Sequence, residues 1–556
     1  MQLRATKLTA IASAVKRAFN ISSLFSGGAP GVWYDPSDYS TLFQDSAGTT
    51  PVTAVEQPVG LMLDKSQGLV LGSELVTNGD FSNGSTGWTY IAGTTNSASV
   101  VSGQLVFTAA GAGPTYATYR QSVLTVGKWY QIEFDLIALG ASPGNNIYIE
   151  AGGSGIEVGS TLGRRRIIRT AVGTNLNIIG IGGGTIDNIS VKELPGNHAF
   201  QSTSASRPVL SARYNLLTKT EQFNDDAVWL KINTTATSGL ISETATTGEH
   251  YTLQGATGDL FTVELKEKGR DNVRLFVGTS TAGDSISYKF STNAFSGVGT
   301  NITEYTSELL SDGYIRLRVK RNAVASQVRV VLLDGAANSY AGDITKGVFA
   351  RKADLRFANQ GVNLPAYQRV NTSTDYDTTG FLPYLKFDGV DDSLSTNSIS
   401  FTSTDKMSVF AGVRKLSDTY AAIVGLSVDT AANAGSFELA SFSGSFSYLW
   451  DSKGTVAARA NTSGYAAPIT NSLTALGDIS GDRATLRVNG AQVAQSTADQ
   501  GTGNFSNNPL YIGRRAGASL PFNGQLYSMV IVGKAVTAGE LSSTETYVAT
   551  KTGVLI

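Results

Sequence analysis

Four groups of side chains in this sequence have the types and spacing for chemistry. Glu133 and Asp135 lie two residues apart, so an extended strand puts both carboxylates on one face. Glycoside hydrolysis needs such a pair, one carboxyl as acid and the other as nucleophile or base. No third acidic residue follows at matching spacing and Leu136-Ile137 comes next, so the pair equally fits a solvated strand face. Asp388, Asp391 and Asp392 gather oxygens in a Gly-containing turn. Calcium takes six to eight oxygen ligands and could sit there, although Asp and Gly favour such a turn unaided. Asp187-Asn188 offers the same two readings, ion ligand or strand closure.

The third group is basic. Arg164, Arg165 and Arg166, with Arg169 nearby, form the densest cationic cluster. Guanidinium forks suit the carboxylates of an acidic polysaccharide, lipopolysaccharide phosphate or a neighbouring subunit. A solvated turn accounts for the cluster as well. The fourth group is aromatic. A flat ring can stack on the apolar face of a pyranose. Trp88, Tyr90, Tyr116 and Tyr119 are candidates early in the chain, and Tyr448 and Trp450, two apart on one strand face, are candidates late. Each could instead plug a core.

Composition narrows the chemistry further. The 556 residues contain no cysteine and two histidines, His198 and His250. Thiolate chemistry, disulfides and Cys-built zinc sites are excluded. No Gly-x-Ser-x-Gly elbow with a plausible histidine, phosphate loop or His-Glu-x-x-His occurs. A net charge of −1 supplies no general attraction for nucleic acid or anionic lipid. The sequence therefore predicts a chain that is not an enzyme and requires no cofactor, with calcium as the one candidate ion.

The elements that position these groups read as strands. Residues 129–137 alternate, with Tyr130, Ile132, Phe134 and Leu136 on one face and Gln131, Glu133 and Asp135 on the other. Ile315, Leu317 and Val319 alternate with Arg316, Arg318 and Lys320 in the same way. Asn489-Gly490 marks a type I′ hairpin, whose central residues both need positive φ. The 61 glycines against 13 prolines fit many tight turns. The expected fold class is mainly β, with tandem antiparallel β-sandwiches of jelly-roll type and a short N-terminal helical arm. Its divisions are an arm at 1–30, a connecting segment at 31–71 and sandwiches at 72–195, 211–356 and 380–556. Linkers fall at 196–210 and 357–379, and a helix is expected over 538–550.

In the arm, Leu8, Ile11, Ala12, Val15 and Phe19 recur at helical spacing, which asks for a partner surface such as another subunit. The uncharged run 8–15 is too short to cross a bilayer, and Lys16-Arg17 interrupts any signal-peptide core. No membrane insertion is expected.

Three peptides and two sets of turn and strand motifs carry family resemblances. Trp33-Tyr34-Asp35-Pro36-Ser37-Asp38 with Leu42-Phe43-Gln44-Asp45 resembles the leading segment of tailed-phage and prophage virion proteins. Residues 206–223 and the pair Tyr367-Gln368-Arg369-Val370 and Tyr376-Asp377 resemble linkers of the same proteins. Asn78-Gly79-Asp80-Phe81, Gly87-Trp88 and residues 187–191 are similar to galactose-binding-like carbohydrate-binding modules. Residues 387–392, Asn489-Gly490, Tyr511-Ile512-Gly513-Arg514 and residues 522–526 resemble laminin-G and concanavalin-A-like domains. The resemblance implies a virion structural protein of the tail or another appendage, assembled in the bacterial cytoplasm. It implies docking to other virion proteins through the arm and binding of host-surface polysaccharide or lipopolysaccharide. A homo-oligomer is expected, because weak sugar contacts gain from avidity. A particle decoration protein and a polysaccharide depolymerase remain as alternatives.

Overall fold

The computed structural model describes residues 19–109, 116–140, 147–153, 155–237, 239–279, 281–444 and 446–556. The chain is mainly β, as expected, and is built from three antiparallel sandwiches. The sandwiches are nested in sequence, not threaded end to end.

The scaffold is the sandwich of the C-terminal region, and its two sheets have nine strands each. The first sheet is centred on Asn523–Val532, Lys406–Lys415 and Ile469–Asp478, and the second on Ala421–Leu426, Ser436–Ser441 and Tyr448–Lys453. Segments from far upstream complete both. Gly31–Tyr34 pairs antiparallel with residues 529–532, and Val209–Ser211 pairs with Tyr384–Asp388. Leu42–Phe43, Leu61–Met62 and Ala199–Phe200 extend the second sheet through Leu394–Ser395. The buried cluster between the sheets accordingly joins Val32, Tyr34, Leu42 and Leu210 to Phe437, Trp450 and Met529.

The segments 31–71, 196–210 and 357–379, expected as connectors, are therefore parts of the folded scaffold. Each buries apolar side chains that a solvated linker could not hide. Trp33 Nε1 donates to the Tyr547 hydroxyl at 2.9 Å, and Lys551 Nζ donates to Asp35 at 2.9 Å. The motif at 33–38 thus ties the first scaffold strand to the C-terminal helix. Asp64 completes the knot. Its carboxylate accepts the backbone N–H of Trp33, Ser66 and Asn197 at 2.8 Å each. Burial nonetheless pushes its carboxyl up to about 6, against those hydrogen bonds.

Residues 72–195 leave and re-enter the scaffold as an inserted jelly roll of two five-stranded sheets. The strand Trp129–Leu139 alternates as read: Tyr130, Ile132, Phe134 and Leu136 enter the core. Residues 215–356 form the second insertion, an eleven-stranded sheet folded on itself by two long strands, Thr247–Lys268 and Ile315–Leu333. Their pairing register breaks between Gly255 and Leu260, where both strands turn the corner. Gly258 allows this, because a Cβ there would lie 2.7 Å from Leu355 Cγ.

The helix Ala538–Thr552 begins at Thr537 with a capping box to Glu540 and ends at left-handed Gly553. It packs on the outer face of the first scaffold sheet, where a Cβ on Gly412 would lie 2.1 Å from Thr552 Oγ1. The expected hairpin is present, with φ of 48° at Asn489 and 76° at Gly490. Of the arm, residues 1–18 lie outside the described residues, and with them most of the expected amphipathic face. Residues 21–28 form a short 3₁₀ helix that buries Ile21, Leu24 and Phe25 against Phe410, Val530 and Val548 of the same chain. That part of the arm covers its own scaffold. No helix among the described residues is long and apolar enough to cross a membrane.

Candidate functional site

Most of the aromatic candidates are core. Trp88 is 8% exposed, stacks on Phe81 at 5.4 Å and donates Nε1–H to the Asn78 carbonyl at 3.0 Å. Tyr119 is buried beneath Tyr90. Tyr448 and Trp450 do share a face, but it is the inner one. Trp450 donates to the Leu476 carbonyl at 3.1 Å, and the Tyr448 hydroxyl accepts from Asn471 at 3.0 Å. Spacing of two sets a common side without saying which side is wet. Tyr90 and Tyr116, 39% and 48% exposed, are the two that remain available for stacking.

The charged candidates are engaged with one another. Arg164 binds Glu133 at 2.9 Å and Asp135 at 3.5 Å, and donates to the Asn188 carbonyl at 2.9 Å. The Glu133–Asp135 pair is therefore one side of a surface ion-pair cluster. Arg166 lies 5.2 Å over the Phe43 ring of the scaffold, and Arg165 is half-buried. This arginine strand is a domain contact. Its neighbour Ile168 packs with Trp129, Phe43, Leu61 and Leu194. Asp187 accepts the Asn188 N–H at 2.7 Å, and Asn188 is left-handed at a β-bulge, a strand-closing role.

Asp388, Asp391 and Asp392 do converge, with carboxylate oxygens within 4.8 Å of one another. Asp388 Oδ1 accepts the N–H of Val390 at 2.8 Å, Asp392 accepts the N–H of Asp388 at 3.0 Å, and Asp391 accepts the Ser206 hydroxyl at 2.7 Å. Burial, then the charges of Asp388 and Asp391, pushes the Asp392 carboxyl up to about 7. The oxygens suit a hard cation in type, while their hydrogen bonds already close the turn.

Two features escaped the sequence reading. The first is an acidic couple. Glu438 and Asp451 face each other in register on adjacent strands of the second scaffold sheet. Alternation with Phe437, Leu439 and Trp450, all core residues, sends both away from the core. Arg515 Nε donates to Glu438 at 2.8 Å, and Tyr420 adds its hydroxyl at 2.7 Å. Arg459 grips both oxygens of Asp451 at 2.8 and 2.7 Å. Carboxylates held in such forks are occupied as acceptors.

The second feature is a groove of about 530 Å³ between the scaffold and the second insertion. Its volume falls in the range of roughly 300–1,000 Å³ usual for ligand sites. The floor is the outer face of the first scaffold sheet. There Lys386 and Gln525 line the groove, in register with buried Arg414 and Thr470 on the next two strands. The wall is the corner of the second insertion at residues 255–257, and Phe357 and Gln360 of the return segment close one side. A hub of buried amides fixes these walls. Asn215 donates to the carbonyls of Ala353 and Gln368 at 3.0 and 2.8 Å and accepts from Leu217 and Leu355 at 3.1 and 3.0 Å. Gln368 accepts the N–H of Tyr214 and Asn215 and donates to the carbonyls of Ala212 and Asp377. Asp354 and Arg356 pair through two 2.6 Å contacts beside it. The peptides at 206–223 and 367–377, expected as linkers, form this hub.

With the geometry in view, comparison with known proteins adds one family. Residues 388–542 match the Laminin_G_3 family, described as the Concanavalin A-like lectin/glucanases superfamily. No curated protein matches the chain. Among solved structures, it is similar to the CBM40 of Ruminococcus gnavus IT-sialidase bound to α2,3-sialyllactose, at 13% identity and a TM-score of 0.22. That match covers 26% of this chain and 83% of the other. Domain 4 of AbnA, a GH43 arabinanase from Geobacillus stearothermophilus, gives 13% identity and a TM-score of 0.23 over 29% and 75% of the two chains. The botulinum neurotoxin type G receptor binding domain gives 12% and 0.24 over 30% and 42%.

Proposed function

We propose that this chain is a non-enzymatic glycan-binding protein displayed on a tailed-phage particle, in a tail fibre or similar appendage. The observation that carries the reading is the groove between scaffold and second insertion. It is open, its walls are held by a satisfied amide hub, and it is lined by hydrogen-bond donors, one carboxylate and two aromatic rings, Phe357 and Tyr384. Such lining orients hydroxylated ligands without reacting with them. The lectin/glucanase family match over residues 388–542 supports the same reading. The particle assignment rests on the peptides at 33–45, 206–223 and 367–377 and is the further step. Residues 1–18 would then reach the particle, and copies of the chain would act together for avidity.

The test is adsorption. Purified full-length chain should bind host cells and lose that binding when surface polysaccharide is stripped. Truncation at residue 18, which spares the packed 21–28 segment, should abolish incorporation into particles. Incorporation without cell binding would favour a decoration role. The depolymerase alternative would have to draw on the facing Glu438 and Asp451, both already gripped by arginines. Release of reducing ends from host polysaccharide, lost in Glu438→Gln, would establish it in place of the proposal.

A further inference from the structure

The groove's charges are unbalanced. Lys386 is exposed and forms no ion pair among the described residues. Arg213 spends Nε and Nη2 on the carbonyls of Asn215, Leu216 and Leu217 and forms no direct ion pair among the described residues, although the charge of Glu56 acts on it. Arg414 is fully buried. One guanidinium nitrogen binds Asn359 at 3.0 Å and Thr470 at 2.8 Å, while Nε and Nη2 have no partner. It lies beside Gln525 in the cross-strand row and 5.0 Å over the Phe357 ring, both of which line the groove. The one lining carboxylate, Glu56, accepts the hydroxyls of Ser211 and Tyr376 on Oε1.

The neutral groups lean the same way. Gln525 accepts the Tyr527 hydroxyl at 2.8 Å, which leaves its NH₂ as a donor. Gln360 accepts the Phe357 N–H at 3.2 Å and likewise keeps its NH₂. Two lining cations, with a third buried beside them, outnumber the one lining acid, and with these spare donors they attract an acceptor that carries negative charge. A buried guanidinium with no directly paired carboxylate is costly, and a ligand anion nearby relieves that cost. Burial pulls the Arg414 guanidinium below the usual arginine range, against the charge of Asp259.

We propose that the groove takes an acidic saccharide, its carboxylate read by Lys386 and Gln525 above Arg414 and its ring edge set against Phe357. This rests on the glycan-binding reading and narrows it to carboxylate-bearing sugars. Nothing in the chain's net charge of −1 anticipates it.

The experiment is calorimetry on the full chain with uronate and sialic acid oligosaccharides, and with the same oligosaccharides after reduction of their carboxyls to alcohols. The acidic forms should bind, and reduction should weaken binding about 10- to 100-fold, the worth of a charge-assisted hydrogen bond. Lys386→Ala should cost about tenfold and Lys386→Glu should abolish binding, while the thermal transition of both variants stays in place. Equal affinity for acidic and reduced forms, or an unaltered Lys386→Ala, overturns the proposal and leaves glycan binding standing. Binding of inorganic phosphate without any saccharide also overturns it. Failure of every acidic and neutral saccharide sinks the underlying reading as well.

Discussion

The two insertions meet the same scaffold through opposite kinds of surface. The first junction is dry: Ile168, Trp129 and Leu194 press on Phe43, Leu61 and Leu63. One backbone bond, Ile168 N–H to the Ala47 carbonyl at 2.7 Å, and the Asn397 contact to Thr170 at 2.7 Å fix its register. The second junction is polar, held by Asn215, Gln368, Asp354 and Arg356, and it leaves a groove open. Apolar contact gains by closing every gap. A directional amide network can hold two bodies at a set separation with space between them. The first junction therefore reads as an attachment and the second as a site.

The contrast makes graded predictions. Asn215→Ala should be the most damaging change, because it strips partners from two carbonyls and two N–H groups. At roughly 1–3 kcal/mol for each buried orphan, a loss of about 4 kcal/mol or more is expected in denaturant unfolding. A loss under 1 kcal/mol would show that the hub does not carry the second junction. Trp129→Ala should cost about 3 kcal/mol, the low end for a buried tryptophan. Its indole Nε1–H is buried with no acceptor, and truncation removes that burden. A larger cost would mean that the dry junction is more finely fitted than its contacts indicate.

A third prediction concerns the acidic turn where the chain re-enters the scaffold beside Ser206. The folded chain holds a proton on Asp392 up to about pH 7, whereas the unfolded chain releases it near its ordinary value of 3.8. Stability should therefore fall as pH rises from about 4 to about 7, by roughly 1.4 kcal/mol per pH unit, and level off above. Asp392→Asn should flatten that slope in urea titrations at stepped pH. We propose calcium as the ion this turn would take; added calcium should then restore stability above pH 7 in the parent chain and not in Asp392→Asn. A small effect is expected for Arg166→Ala, about 0.5–1 kcal/mol from its stacking on Phe43, and the smallest for Lys386→Ala, near zero on stability.

Strand identity was legible wherever a run was long enough to show a period, as at residues 129–137 and 315–320. The nesting was not. Gln57–Pro58, Leu61–Met62 and Ala199–Phe200 are two-residue strands, too short to alternate visibly, and their partners lie far away in sequence. The resemblance peptides marked the right positions but the wrong role: Asn215 and Gln368 are buried hub residues because their amides satisfy backbone on both sides. The groove was illegible for a related reason. Lys386, Gln525 and Arg414 come from three strands, and only sheet register brings them into one row. Tyr448 and Trp450 show the complementary error, since aromatic pairs on a strand look alike whether they face solvent or core.

The pairing of residues 31–34 with 529–532 has a consequence for how the chain is made. At about 5–20 residues per second, the ribosome needs roughly 25–100 seconds to reach the complementary strand. Both insertions can finish folding in that interval, while the opening strand keeps an unmatched edge. Translation arrested before the last scaffold strand would release two intact sandwiches on an open sheet, a species prone to join others of its kind.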